Sequence, residues 1–133
     1  MTKVAGRFLL DTNAVIYMLA DDAGIGRGQD DAEKTFLAVT SVGELYFGAA
    51  KSGRPELNRT TIDRLLVEKE VLPCDSAVAR EYGRLKAVLR RQGTPIPDND
   101  IWIAAIALRK EMTLVSRDRH FERIPELRLV AWR

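Results

Sequence analysis

The sequence predicts an α/β protein, a three-layer α/β/α sandwich with a mostly parallel central sheet. Two observations carry this. Short apolar runs such as Phe8-Leu9-Leu10 and Phe36-Leu37-Ala38-Val39 alternate with segments of helical periodicity, which is the order of strands joined through helices. The runs are continuously apolar, as in strands covered on both faces, and no hairpin turn signal separates two of them.

Taken in order, Phe8 to Leu10 reads as a buried strand ending at Asp11-Thr12-Asn13, after which Val15, Ile16, Met18 and Leu19 recur at helical spacing behind a polar cap. Asp21 to Asp31, with Gly24, Gly26 and Gly28 among acids, reads as a surface loop. Its Gly-x-Gly-x-Gly string follows a helix, whereas a dinucleotide fingerprint follows a strand. Phe36 to Val39 is a second strand, and Thr40 or Ser41 can cap a helix carrying Glu44, Leu45, Phe47 and Gly48. Pro55 suits the first turn of the next helix, whose Ile62, Leu65 and Leu66 form an apolar stripe ending near Glu70.

Val71-Leu72 is a third strand, closed by Pro73. From Asp75, Val78, Tyr82, Leu85 and Leu89 share one face while Arg80, Arg84, Lys86, Arg90 and Arg91 lie on others, an amphipathic helix stopped by Gly93. Thr94 to Asn99 is a loop, and Asp98, Asn99 or Asp100 can cap a helix whose stretch Ile101 to Leu108 is apolar on every face and therefore central. Met112 to Val115 is a fourth strand, Arg117 to Arg123 a short polar segment, and Leu127 to Trp132 a fifth strand. No internal repeat interrupts this order.

At 133 residues the chain is expected to be a single domain, 1–133. With 46% hydrophobic and 30% charged residues it is too apolar for a disordered chain. A lone cysteine, Cys74, excludes an intrachain disulfide framework and suits a reducing compartment. No apolar run approaches the ~20 residues that span a bilayer, and no secretory leader is evident, so no membrane role and a cytoplasmic location are expected. The net charge of +2 divides unevenly, −3 over residues 1–78 and +5 over 79–133. That asymmetry permits a polyanionic partner without requiring one.

In open α/β sheets ligands sit outside the carboxyl ends of the strands. Asp11 follows strand one directly, Glu44 lies early in the helix after strand two, Asp100 begins the central helix and Asp118 follows strand four. Asp11, Asp100 and Asp118 are each explicable as helix caps or turn residues. Glu44, between Val42 and Leu45-Tyr46-Phe47, is not. Carboxylates gathered at one rim raise one another's pKa and oppose folding unless a cation neutralises them. Oxygen donors without Cys or His select a hard ion, Mg²⁺ or Mn²⁺.

At these residues the chain resembles the PIN-domain ribonucleases, specifically the VapC-type toxins of toxin–antitoxin pairs. The matching strings are Leu9-Leu10-Asp11-Thr12-Asn13, Ser41-Val42-Gly43-Glu44-Leu45 with Gly48 after it, Asp100-Ile101-Trp102-Ile103-Ala104-Ala105, and Leu114-Val115-Ser116-Arg117-Asp118 leading to Phe121. They occur in the family's order and span nearly the whole chain. The resemblance implies that Asp11, Glu44, Asp100 and Asp118 are the catalytic, metal-holding acids, with Asn13 and Ser116 hydrogen-bonding beside them. Asp98 is an acid the motif does not require and reads as a helix cap or an outer hydrogen-bonding group. The Gly24–Gly28 segment is also outside the pattern.

The function so implied is metal-dependent endoribonucleolytic cleavage by in-line attack of water, with Mg²⁺ or Mn²⁺ activating the water and neutralising the transition state. No histidine is needed as base, and His120, in a polar segment, reads as a surface residue. A haloacid-dehalogenase-type phosphatase also places an Asp after strand one, but its second Asp two residues on is here Asn13. A non-catalytic PIN-like scaffold binding RNA or protein shares the fold, and the presence of all four acids speaks against it. Arg80, Arg84, Lys86, Arg90, Arg91, Arg117 and Arg119 are candidates for a phosphate-contacting rim on single-stranded RNA. The resemblance further implies a VapB-type antitoxin that inserts a segment near the acids, and a homodimer. Tyr17, Tyr46 and Phe47 are open to such contacts or to core packing.

Overall fold

A computed structural model describes residues 4–133, with side chains from Gly6 onward. The elements run β1 (Val4–Leu10), α1 (Thr12–Leu19), α2 (Ala23–Asp31), β2 (Ala32–Ala38), α3 (Val39–Ala50), α4 (Pro55–Glu68), β3 (Glu70–Leu72), α5 (Ser76–Gln92), α6 (Asp98–Arg109), β4 (Thr113–Val115), a 3-10 turn (Arg119–Arg123) and β5 (Leu129–Val130). The sheet order is β3-β2-β1-β4-β5, and every neighbouring pair is parallel. The expected α/β/α sandwich is therefore the observed fold.

Strand alternation divides the interior into two cores. Leu9, Phe36, Leu72 and Leu114 face α5 and α6, whereas Phe8, Leu10, Leu37 and Val115 face α1, α3 and α4. Because both faces are covered, consecutive strand residues are buried, which is why the runs read as continuously apolar. In α6, Ile101 and the unbroken stretch Ile103 to Ala107 are all buried, consistent with an apolar circumference. Asp75 caps α5 by accepting from Val78 N at 2.9 Å, and Gly93 ends it at φ 70°.

Four local expectations are corrected. The Asp21–Asp31 segment is largely helical: Asp22 accepts from Ile25 N at 3.1 Å and starts α2 directly after α1. Neither Thr40 nor Ser41 caps α3, because β2 passes into that helix without a loop and Ala38 occupies the cap. At α6 the cap position is Pro97, so Asp98 and Asp100 lie inside the first turn, where the helix dipole favours negative charge. The fifth strand is confined to Leu129 and Val130.

The chain builds outward from β1 to β2 and β3 and then returns to the other side of β1 for β4 and β5. The strand order thus reverses between β1 and β4. A crevice opens at the carboxyl ends of strands at such a reversal. Asp11 follows β1 there, and Ser116 to Asp118 follow β4.

Candidate functional site

Asp11 is 4% exposed and is joined to β4 and to the residue that follows it. Its backbone N–H donates to Val115 O at 3.1 Å. Its Oδ1 accepts from Ala14 N at 2.7 Å, capping α1, and its Oδ2 accepts from Ser116 Oγ at 2.5 Å. Burial raises its pKa, against the lowering effect of those two hydrogen bonds. Ser116, itself buried, accepts from Asp118 N at 3.0 Å. One hydroxyl therefore ties the acid after β1 to the backbone of the acid after β4.

Glu44 is held differently. Thr12 Oγ1 donates to Glu44 Oε1 at 3.0 Å and lies 2.9 Å from the Ser41 hydroxyl, which by proton count is the donor of that second bond. Ser41 is fully buried one helical turn before Glu44. From the sequence Ser41 is only a candidate helix cap and Thr12 has no assigned role, although both sit inside the matched strings. Their chain spacing, one residue after Asp11 and three before Glu44, was the available signal.

Asp100 completes the group. Its pKa is raised, first by burial, and further by the charges of Asp11, Glu44 and Asp118, while His120 opposes the shift. Asp100 thus lies within the field of each of the other three acids. Asp11 in turn feels Asp118 and His120. Through Asp100 the four carboxylates share one electrostatic environment.

His120 is not a solvated surface residue, as its polar neighbours led us to expect. The 3-10 turn that begins at Asp118 folds back, with His120 N donating to Asp118 Oδ1 at 3.1 Å. The imidazole then lies between two acids, Nδ1 at 2.9 Å from Asp118 Oδ1 and Nε2 at 2.9 Å from Asp100 Oδ2. The Nε2 atom is buried, and its approach to Asp100 is off the line of a hydrogen bond. A spacing of two from Asp118 carries no sign of this until the turn is known.

Among the described residues no three His, Cys, Asp or Glu side chains enclose one point as an ion cage. By donor type the set nevertheless suits a hard divalent cation: carboxylate oxygens only, one carboxylate buried and a second disfavoured by burial and by three like charges.

The remaining expected residues are dispersed. Asn13 is exposed and, with Thr12, Glu44, Asn99 and Lys51, lines a groove of about 840 Å³ that continues over apolar Ile16, Leu19 and Phe47. Asp98 neither caps α6 nor supports the acids: it pairs with Lys86 at 3.0 Å, which lowers its pKa. Arg84 is engaged by Glu81 and by Glu126, at 2.5 and 2.8 Å. Arg117 pairs with Asp22 at 2.7 Å and Arg119 lies 3.8 Å from Glu122. Arg80, Arg90 and Arg91 are exposed and make no ion pair among the described residues.

Comparison with known proteins agrees with this architecture. The family model for the PIN domain matches residues 8–127. Ribonuclease VapC2 of Haemophilus influenzae is 38% identical over 129 residues, covering 95% of this chain and 98% of that protein. A tRNA(fMet)-specific endonuclease VapC of Salmonella typhimurium is 33% identical over 129 residues, with the same 95% and 98% coverage. Among solved structures, a DNA-bound VapBC complex from Salmonella typhimurium superposes with a TM-score of 0.88 at 31% identity, covering 100% of each chain. No helix among the described residues is long and apolar enough to cross a membrane.

Proposed function

The chain belongs to the PIN-domain family and, within it, to the VapC ribonucleases. We propose that it is a Mg²⁺- or Mn²⁺-dependent endoribonuclease, the toxin of a toxin–antitoxin pair, with Asp11, Glu44, Asp100 and Asp118 as its catalytic acids. The observation that carries this reading is Asp100: a carboxylate whose charge is disfavoured by burial and by three other acids calls for a cation in the crevice.

These four acids would hold the ion, which when bound supplies charge neutralisation and Lewis acidity to a phosphodiester. Ser116 keeps Asp11 turned into the crevice, and Thr12 does so for Glu44. His120 packs its imidazole against Asp100 and Asp118 and so fixes the side of the crevice they form. A phosphate strand needs cations outside the acidic centre. The uncommitted Arg80, Arg90 and Arg91 supply them better than Arg84 and Arg117, whose charges are already paired.

The relatives' names support RNA as substrate, and one of them names tRNA(fMet). The VapBC complexes among the similar solved structures support a VapB-type antitoxin as partner. For the antitoxin, the apolar wall of Ile16, Leu19 and Phe47 beside Glu44 suits a segment laid along the groove. The same wall is the face on which a homodimer would compete.

The test is incubation of the purified chain with single-stranded RNA and with tRNA, in Mg²⁺ or Mn²⁺ and in EDTA. Cation-dependent internal cleavage that disappears in Asp11→Asn is expected. Cleavage unaffected by EDTA removes the metal, and binding without cleavage under every condition favours the non-catalytic scaffold.

A further inference from the structure

We propose that Arg117 is a positioning residue: its guanidinium locks the loop carrying Ser116 and Asp118, and is itself held by a latch formed where residues 131–133 seat on a glycine notch of α2. The functional half of this rests on reading Asp118 as a site acid.

Arg117 stands between Ser116, which binds both Asp11 Oδ2 and Asp118 N, and Asp118. It points away from the acids. Its Nη1 and Nη2 donate to the two oxygens of Asp22 at 3.0 and 2.7 Å. Nη2 also donates to Trp132 O at 2.7 Å, and Nε to Ala131 O at 3.4 Å. The guanidinium carbon lies 4.7 Å from the centre of the Tyr17 ring. Three separate parts of the chain therefore hold one planar fork, a geometry lysine cannot reproduce. The side chain is only 21% exposed, and its charge is spent on Asp22.

The latch explains glycines that the family pattern leaves over. A Cβ on Gly28 would lie 2.2 Å from Trp132 Cδ2, and one on Gly24 2.4 Å from the Arg133 backbone and 2.6 Å from Trp132 O. Gly26 meets nothing. Gly24 and Gly28, one helical turn apart, thus admit the backbone and ring that present the Trp132 carbonyl to Arg117. Trp132 adopts φ 49°, a conformation that persists in a non-glycine residue only when its surroundings impose it. Its ring also packs 5.2 Å from that of Phe8 in β1.

The full-length chain is tested as Arg117→Lys, Arg117→Gln, Gly28→Ala and Trp132→Ala, the last emptying the notch in case overfilling it prevents folding. Amide exchange of residues 116–121 is expected to quicken in all four. On RNA in Mn²⁺, kcat is expected to fall about tenfold with KM unchanged, and the Mn²⁺ concentration giving half the thermal shift to rise about tenfold, as for lost hydrogen-bonding support of a metal ligand. Wild-type kcat in Arg117→Lys, with a salt-sensitive rise in KM only in Arg117→Gln, would make Arg117 a phosphate contact and overturn the proposal. Unchanged exchange at 116–121 in Trp132→Ala would overturn the latch. If the wild-type chain cuts no RNA, it is the nuclease reading that fails, and the exchange comparison still decides the latch.

Discussion

Ser116 donates to Asp11 across 105 positions of sequence, at 2.5 Å, with both side chains buried. The bond exists because β1 and β4 are neighbours in the sheet, so the residues just beyond Leu10 and Val115 emerge side by side. It holds a buried carboxylate in one orientation at the crevice while leaving its pKa raised. The acid is thus rigidly placed at a cost in folding free energy, the pattern expected where placement serves a site.

That cost makes a prediction about Asp11→Asn. With EDTA present, removing a charge whose burial is unfavourable should leave the melting temperature unchanged or raise it, since the amide oxygen can still accept from Ala14 N and the amide NH2 can donate to Ser116 Oγ. A loss of stability of more than about 1 kcal/mol in denaturant titration would mean that the carboxylate's hydrogen bonds outweigh its desolvation.

Asp100 sets the pH dependence of the cation-free protein. Its folded pKa lies above the ordinary aspartate value of 3.8, so the folded state binds the proton more readily than the unfolded chain. Its penalty is full above the folded pKa and is relieved as pH falls through it toward 3.8. Asp100→Asn should therefore melt higher than wild type at pH 7, with the difference closing toward pH 4. Asp22 acts in the opposite sense and in a lower window: Arg117 holds its carboxyl below the usual range, so its contribution is present above 3.8 and lost as pH falls further. A constant wild-type-to-variant difference from pH 7 to 4 would remove Asp100 from the titration.

Mg²⁺ or Mn²⁺ should raise the melting temperature, by an amount corresponding to about 2.7 kcal/mol at a hundredfold excess over Kd. Glu44→Gln should respond much less. Equal shifts in the two proteins would mean that Glu44 holds no ion, and that Thr12 positions it for another purpose.

Phosphate contacts are expected from Arg90 and Arg91 and not from Arg84, whose Glu81 and Glu126 partners must be displaced first. Replacing Arg90 and Arg91 by Ala should flatten the slope of log K against log salt for single-stranded RNA by about 0.7 per lost contact, similarly for all sequences. Arg84→Ala should leave the slope unchanged. The reverse result would place the RNA on the Glu126 side of α5.

By itself, the sequence determined the sandwich, its strands and most of its helices. Those are local matters: continuous apolar runs mark covered strands, a 3.6-residue period marks α5, and an all-apolar stretch marks α6. It also determined which acids stand beyond strand ends, and Asp11, Glu44 and Asp118 each act electrostatically on Asp100. Tertiary structure alone decided what lies between them. Asp22 caps a glycine-rich helix because residues 132–133 pack into it, an attraction between segments about 100 positions apart in the chain that no propensity records. His120 bridges two acids because a 3-10 turn reverses the chain over them. Arg84 and Arg117 are removed from the basic rim by carboxylates 42 and 95 positions away. Periodicity reports the face a residue presents to its own element, whereas a charge's availability depends on which distant partner the fold brings within 3 Å or so.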